Sequence, residues 1–253
     1  GGTLTVSIGA LFLAGIVPGL LRGIVQMATV HVYAKMRNYP KYPRSTFKEV
    51  LAAMFVAIPA LMTPVIIIGG KIFGWFTATE SAAIAVLYAG TLSIFVYREM
   101  SARHLHDALL DTGKLAAVAL FCVGTASAFG WLLAYYQIPK ALLEGVGGWG
   151  MGITTTGFFI AFCFLVVGCF LDAIPAIIIV GTILQPLAMN AGMDPVHFAI
   201  VGIVALAFGL VTPPYGLCLM IACSVAGMRI RDAIKDTAIM LVPMLLVLAL
   251  VVV

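Results

Sequence analysis

Charge is scarce in this chain. Only 9% of its 253 residues are Asp, Glu, Lys or Arg, against about 25% in an ordinary soluble domain. That deficit excludes the water-soluble globular classes. A cysteine framework is missing too: Cys122, Cys163, Cys169, Cys218 and Cys223 all fall within apolar runs, so they read as small buried side chains and identify no redox compartment. Enzyme signatures are lacking as well. There is no His-Glu-x-x-His, no Gly-x-Ser-x-Gly and no Walker phosphate loop, and the chain is expected not to be an enzyme. What fills the space is apolar sequence, 63% of the residues, with 26 glycines and 12 prolines inside the apolar stretches. Transmembrane helices tolerate that placement better than soluble ones. The fold class is therefore an all-α polytopic membrane protein. The chain opens on Gly1 with no signal-like segment before its first apolar run and stops on Leu250-Val251-Val252-Val253, so it is expected to be truncated at both ends.

A helical span needs about 20 apolar residues, and seven stretches qualify, near 3-21, 50-70, 80-97, 115-136, 151-187, 198-226 and 238-253. Three connections between them hold most of the positive charge: Lys35, Arg37, Lys41, Arg44 and Lys48 in one, Arg98, Arg103 and Lys114 in another, Arg229, Arg231 and Lys235 in a third. By the positive-inside rule 35-49, 98-114 and 227-237 face the cytoplasm, and the poorly charged 137-150 and 188-197 face outward. The net charge of +4 is thereby explained without nucleic acid. Parity then requires stretch 151-187 to enter and leave on one face. Its midpoint is interrupted by Gly168-Cys169-Phe170-Leu171-Asp172-Ala173-Ile174-Pro175, so it reads as a re-entrant hairpin. Stretch 198-226 carries a second interruption, Gly209-Leu210-Val211-Thr212-Pro213-Pro214-Tyr215-Gly216.

Non-helical backbone at membrane depth is tolerated where it is buried in protein or lines a polar cavity. At the first break Asp172 can cap a new half-helix with Pro175 at its third position. At the second, Thr212 is a natural N-cap and Pro213 a natural first helical residue. Half-helix starts favour an anion, and freed carbonyls can coordinate a hard cation. The alternative is that both breaks are packing kinks. Asp172 reads as a cap or as a titrating group, and Thr212 as a cap whose hydroxyl can also serve a cation.

Elsewhere, Thr77-Ala78-Thr79-Glu80 fits a capping box. Arg22, after Pro18-Gly19, is expected at the inner end of the first span with its side chain snorkelling to the interface. His104 and His106 beside Asp107 point to an interfacial helix, His31 and His197 stand alone, and the small residues from Gly124 to Gly130 point to close helix packing. Lys140, Glu144 and Trp149 read as an outer interfacial segment.

The runs "SIGALFLAGIVPGLL" at 7-21, "AIPALMTPVIIIGGKIFGWFTATESAAIAVLYA" at 57-89, "GCFLDAIPAIII" at 168-179, "GMDPVHFAIV" at 192-201 and "GLVTPPYG" at 209-216 together resemble the large membrane subunit (DctM-like, M subunit) of tripartite ATP-independent periplasmic (TRAP) transporters. The resemblance implies a sodium-coupled importer of organic anions (C4-dicarboxylates, sialic acid or other sugar acids) in the bacterial cell inner membrane. Its implied partners are a small membrane subunit and a periplasmic substrate-binding protein, with Na+ as the coupling ion and no other cofactor. The implied fold is an inverted-repeat, elevator-type transporter, each repeat having a re-entrant hairpin and a broken helix. This chain would be its second half.

On that footing residues 1-114 are connecting and scaffold helices, 115-237 the second-repeat transport region with hairpin 151-187 and broken helix 198-226, and 238-253 a terminal helix. The family's second sodium site is similar to the backbone of Gly168 with Gly209, Thr212 and Tyr215. The resemblance places Asp172, Pro213 and Pro214 near the substrate. Rival readings are another ion-coupled anion carrier without a binding protein, a membrane enzyme on a lipid-borne substrate, and a non-transporting scaffold.

Overall fold

A computed structural model describes residues 7-39, 45-98, 100-147, 152-214 and 216-253. Among them there is no strand, and the helices run in the order α1 Ile8–Met36, α2 Phe47–Ile72, α3 Ala78–Thr91, α4 Ala102–Tyr135, α5 Ile138–Gly147, α6 Ile153–Gly168, α7 Ala173–Asn190, α8 Pro195–Gly209, α9 Leu217–Ala226 and α10 Ile230–Val252. A π-helical turn, Leu92–Val96, extends α3. Helices α1, α2, α3 with its extension, α4, α7 and α10 are long and apolar enough to cross a membrane. At 16 residues, α6 reaches only about 24 Å, short of the roughly 30 Å hydrocarbon core.

Three helices are longer than their apolar stretches predict. The first span was expected to end at 21, yet α1 continues to Met36 with Arg22, Gln26, His31 and Lys35 within it. The basic connection at 98-114 is mostly helix, because α4 starts at Ala102 and runs unbroken to Tyr135. Likewise α10 starts at Ile230, eight residues before the expected 238. The cause is common to all three. Lys, Arg and Ala sustain a helix as well as apolar residues do, so a helix outlasts the hydropathy signal that locates it.

The chain forms two compact units. One comprises Leu13–Arg37 and Val118–Val253, and the other Ser7–Phe12 and Asn38–Ala117.

In the second unit α2 packs on α3. As expected, α3 starts with a capping box: the Thr77 hydroxyl accepts from the Glu80 amide and the Glu80 carboxylate accepts from the Thr77 amide at 2.7 Å. The Tyr88 hydroxyl donates to the Pro59 carbonyl at 2.9 Å. Little is buried here beyond Gly70, Ser81 and Ala85.

The first unit holds the core. Thr156, Ile160, Phe164 and Gly168 are buried at every fourth position of α6, which draws one stripe along the helix. That stripe meets Ala176, Val180 and Leu184 of α7, Val201, Ala205, Leu206 and Phe208 of α8, and Met244, Leu248 and Val252 of α10. Several members are alanine or glycine, which lets helix backbones approach closely. Leu142 of α5 packs against the same cluster. Asp194 caps α8 by accepting from the Val196 amide at 2.8 Å, and Pro195 occupies the first helical position. His197 is not isolated: its Nε2 lies 2.7 Å from the Val251 carbonyl. A carbonyl only accepts, so Nε2 carries the proton.

The expected small-residue packing in α4 holds at Ala126 alone, the one buried residue of the helix. A Cβ at Gly124 or Gly130 would meet nothing within 4 Å. Trp149 lies outside the described residues.

Candidate functional site

The hairpin expected over 151-187 is the pair α6 and α7, which pack on each other and on α8. Its turn is short. Cys169 and Leu171 donate their amides back to the Leu165 and Val167 carbonyls at 3.2 and 2.9 Å, closing the end of α6. Asp172 occupies the N-cap position of α7 with extended backbone, as expected, and Pro175 is the third residue of that helix. The Asp172 carboxylate, however, makes no capping hydrogen bond and is exposed. Among the described residues it has no hydrogen-bond partner, and it lies beside the first turn of α7, whose amides point toward that end of the helix.

The second break lies between α8 and α9. Here the local reading of Thr212 as an N-cap fails, because α9 begins at Leu217 and its N-cap is Gly216 in the left-handed region, φ 47°. Thr212 instead finishes α8. Its amide donates to the Gly209 carbonyl at 2.9 Å and its hydroxyl to the Phe208 carbonyl at 2.7 Å. The residues between lead through a cis Pro213-Pro214 bond, and the Cys218 amide reaches back to the Leu210 carbonyl at 3.1 Å. The physical reason is steric. Two consecutive prolines offer no N–H and hold the residue before them out of the helical region, so the helix restarts only after Gly216. A Cβ at Gly216 would lie 3.3 Å from the Thr212 carbonyl oxygen and 3.4 Å from that of Val211. Among the described residues neither oxygen accepts a backbone N–H. Tyr215 lies outside the described residues.

The two breaks meet. A Cβ at Gly209 would sit 2.6 Å from the Leu165 carbonyl oxygen and 2.8 Å from the Gly168 Cα, and one at Gly168 would sit 3.0 Å from the Leu206 carbonyl oxygen. These are backbone atoms, so no side chain can yield; only glycine allows the approach. Gly168 and Gly209 are thus in direct contact, with Thr212 one turn beyond. Pro213 is half-buried and Pro214 exposed. The Gly168–Gly209 approach sets the end of α6 against the end of α8, with Asp172 following the one glycine in the chain and the Val211 and Thr212 carbonyls following the other.

The sequence reading missed the place of Arg22. It is the central residue of α1, and its guanidinium lies 5.2 Å from the centroid of the Phe208 ring. Locating it needed the true end of α1, which only helix-forming polar residues up to Lys35 signalled.

Residues 2–253 match the family described as "Tripartite ATP-independent periplasmic transporter, DctM component". The chain belongs to this DctM family. It is 36% identical over 245 residues to the "C4-dicarboxylate TRAP transporter large permease protein DctM" of Pseudomonas aeruginosa, covering 95% of this chain and 57% of the relative. It is 35% identical to the "Sialic acid TRAP transporter large permease protein SiaM" of Vibrio cholerae, covering 97% and 57%. To the "2,3-diketo-L-gulonate TRAP transporter large permease protein YiaN" of Escherichia coli it is 34% identical, covering 90% and 54%. This DctM chain therefore spans somewhat over half the length of the relatives it matches. With its apolar helices and this membership it is a multi-pass protein of the bacterial inner membrane, and the relatives are named as permeases rather than enzymes.

Proposed function

We propose that this chain is the C-terminal portion of the large permease subunit of a sodium-coupled, binding-protein-dependent TRAP transporter that imports organic anions. The observation that carries the reading is the Gly168–Gly209 contact, which sets the hairpin turn against the break in the next helix. Discontinuous helices meeting at membrane depth are the usual construction of an ion and substrate site in a secondary transporter. Sodium takes the oxygen side: the Val211 and Thr212 carbonyls, the Thr212 hydroxyl and the backbone at Gly168 and Gly209. Donating to Phe208 does not consume the Thr212 hydroxyl, which keeps lone pairs for a cation. The family resemblance adds Tyr215 to the same set. The anion takes the side of Asp172, Pro213 and Pro214, at the positive start of α7. The short α6 and the hairpin turn support a re-entrant element whose tip lies within the membrane, and transport proceeds by an elevator motion of the hairpin-bearing unit. Substrates belong to the class named for the relatives, C4-dicarboxylates, sialic acid and other sugar acids. A small membrane subunit and a periplasmic binding protein complete the assembly. The transporter performs no covalent chemistry.

The test is sodium-dependent uptake by the full-length protein, reconstituted with its small subunit and binding protein. Thr212→Val keeps the shape and removes one oxygen, so the sodium concentration for half-maximal uptake should rise by an amount worth about 1–3 kcal/mol. Thr212→Ser should be much milder. A Val variant with normal incorporation and unchanged sodium dependence would remove Thr212 from the site, and uptake by the wild type without sodium would overturn the coupling.

A further inference from the structure

Arg22 is a charge at the middle of an apolar helix. Arg22 lies about 21 Å along the axis from either end of α1, further than a snorkelling side chain reaches. The guanidinium lies over Phe208 instead. Among the described residues it has neither a carboxylate partner nor a hydrogen bond; the ion pairs there are Arg37 with Asp236 and Lys114 with Asp111. Arginine does not shed its proton. Charged groups inside a membrane pair with one another or line a substrate path, and the face of one ring together with the carbonyl end of α8 is a weak partner by comparison.

Two further observations fix what would satisfy it. Phe208 is fully buried and immediately precedes Gly209, so the guanidinium stands at the level of the α8–α9 break. Gln26 is one turn along the same face of α1, and its side-chain oxygen is shut off from solvent with no donor. An Arg fork matches a carboxylate in two parallel hydrogen bonds, and an unfilled acceptor beside it suits a hydroxyl. Both features belong to a hydroxylated organic acid.

We propose that Arg22 docks the carboxylate of the transported anion, with Gln26 receiving a hydroxyl of the same molecule. The assignment rests on the importer reading above and adds to it a specificity residue on α1, outside the hairpin and the broken helix.

The experiment uses the full-length transporter with its small subunit and binding protein in proteoliposomes under a sodium gradient, with labelled malate, N-acetylneuraminate and 2,3-diketo-L-gulonate as probes. For whichever probe the wild type takes up, Arg22→Gln should raise the half-saturating concentration at least 30-fold, with a smaller change in maximal rate. Arg22→Lys should fall between. Arg22→Cys should lose uptake and regain part of it after modification by a trimethylammonium thiosulfonate, but not by a sulfonate-bearing one, with the wild type treated in parallel. Normal incorporation of Arg22→Gln with unchanged half-saturation overturns the assignment. So does failure of both Arg22→Gln and Arg22→Cys to incorporate while Arg22→Lys does so, because that pattern identifies a counter-ion within the protein. No uptake of any probe by the wild type counts instead against the importer reading itself, and the role of Arg22 falls with it.

Discussion

The α6–α7–α8–α10 bundle and the α2–α3 pair are made of similar apolar sequence, yet they bury themselves to very different degrees. Along α8 the residues Ile200, Val201, Gly202, Ala205, Leu206, Phe208 and Gly209 are all buried, whereas α2, almost twice as long, buries only Gly70. Phe47, Phe55, Val56 and Leu61 of α2 are among its many exposed apolar side chains. In water such a surface would be untenable, but in a bilayer lipid tails receive it at no cost. Apolarity therefore does not reveal where a membrane protein packs on itself. Small residues in register do, and in this chain they converge on the place where both helices break.

Glycine substitutions break the comparison most sharply. Gly209→Ala drives a Cβ into the Leu165 carbonyl and the Gly168 backbone, and overpacking against atoms that cannot rotate away should destabilise by about 3 kcal/mol or more. The expected outcome is loss of the monodisperse peak of the full-length protein and loss of uptake. Retained stability would mean that the two breaks separate freely.

An intermediate effect is expected at the start of α3. Thr77→Ala removes the hydroxyl that accepts from the Glu80 amide and should cost about 1 kcal/mol, read as a lower thermal midpoint with uptake kinetics intact. An equal loss of transport would place this corner in the machinery rather than in the scaffold.

Smaller still is the contact between α1 and α10. Asp236 accepts from the Tyr33 hydroxyl at 2.6 Å and from Arg37 at 2.8 Å, but the ion pair is 40–47% exposed. Asp236→Asn should therefore cost roughly 0.5–1 kcal/mol, and high salt should shrink the difference from the wild type. A loss that salt leaves unchanged would count against this account of the pair.

At the other extreme, Gly69→Ala in α2 meets nothing within 4 Å. Alanine is the better helix former, so the change should be neutral or stabilising by up to about 1 kcal/mol. Measured beside Gly209→Ala, it shows whether glycine in this chain is constrained by contact or by composition.

Much of this architecture was legible in the sequence, for local reasons. The capping box at Thr77, the N-cap position of Asp172 and the interruption after Gly168 all follow from residue chemistry within one helical turn. What was not legible was long-range or cumulative. Thr212 followed by Pro213 carries the same residues as a helix start, and only the second proline together with the left-handed Gly216 postpones the helix to Leu217. The length of α1 was hidden because Arg22, Gln26 and His31 dilute the apolar signal without weakening the helix. The meeting of Gly168 with Gly209 joins residues of two different helices, and nothing in either neighbourhood announces the other. The resemblance to a family supplied that pairing, and the backbone geometry supplied its reason.

That reason bears on how the protein can vary through evolution. A bulky replacement in an ordinary core is often rescued by trimming the residue opposite, so sequences drift through pairs of offsetting changes. Opposite Gly209 there is nothing to trim: its neighbours are the Gly168 Cα and the Leu165 carbonyl oxygen, and opposite Gly168 stand the Leu206 carbonyl and the Gly209 Cα. Both partners are already the smallest residue available. The pair has no second-site suppressor within reach, and any lineage that keeps this contact must keep both glycines together.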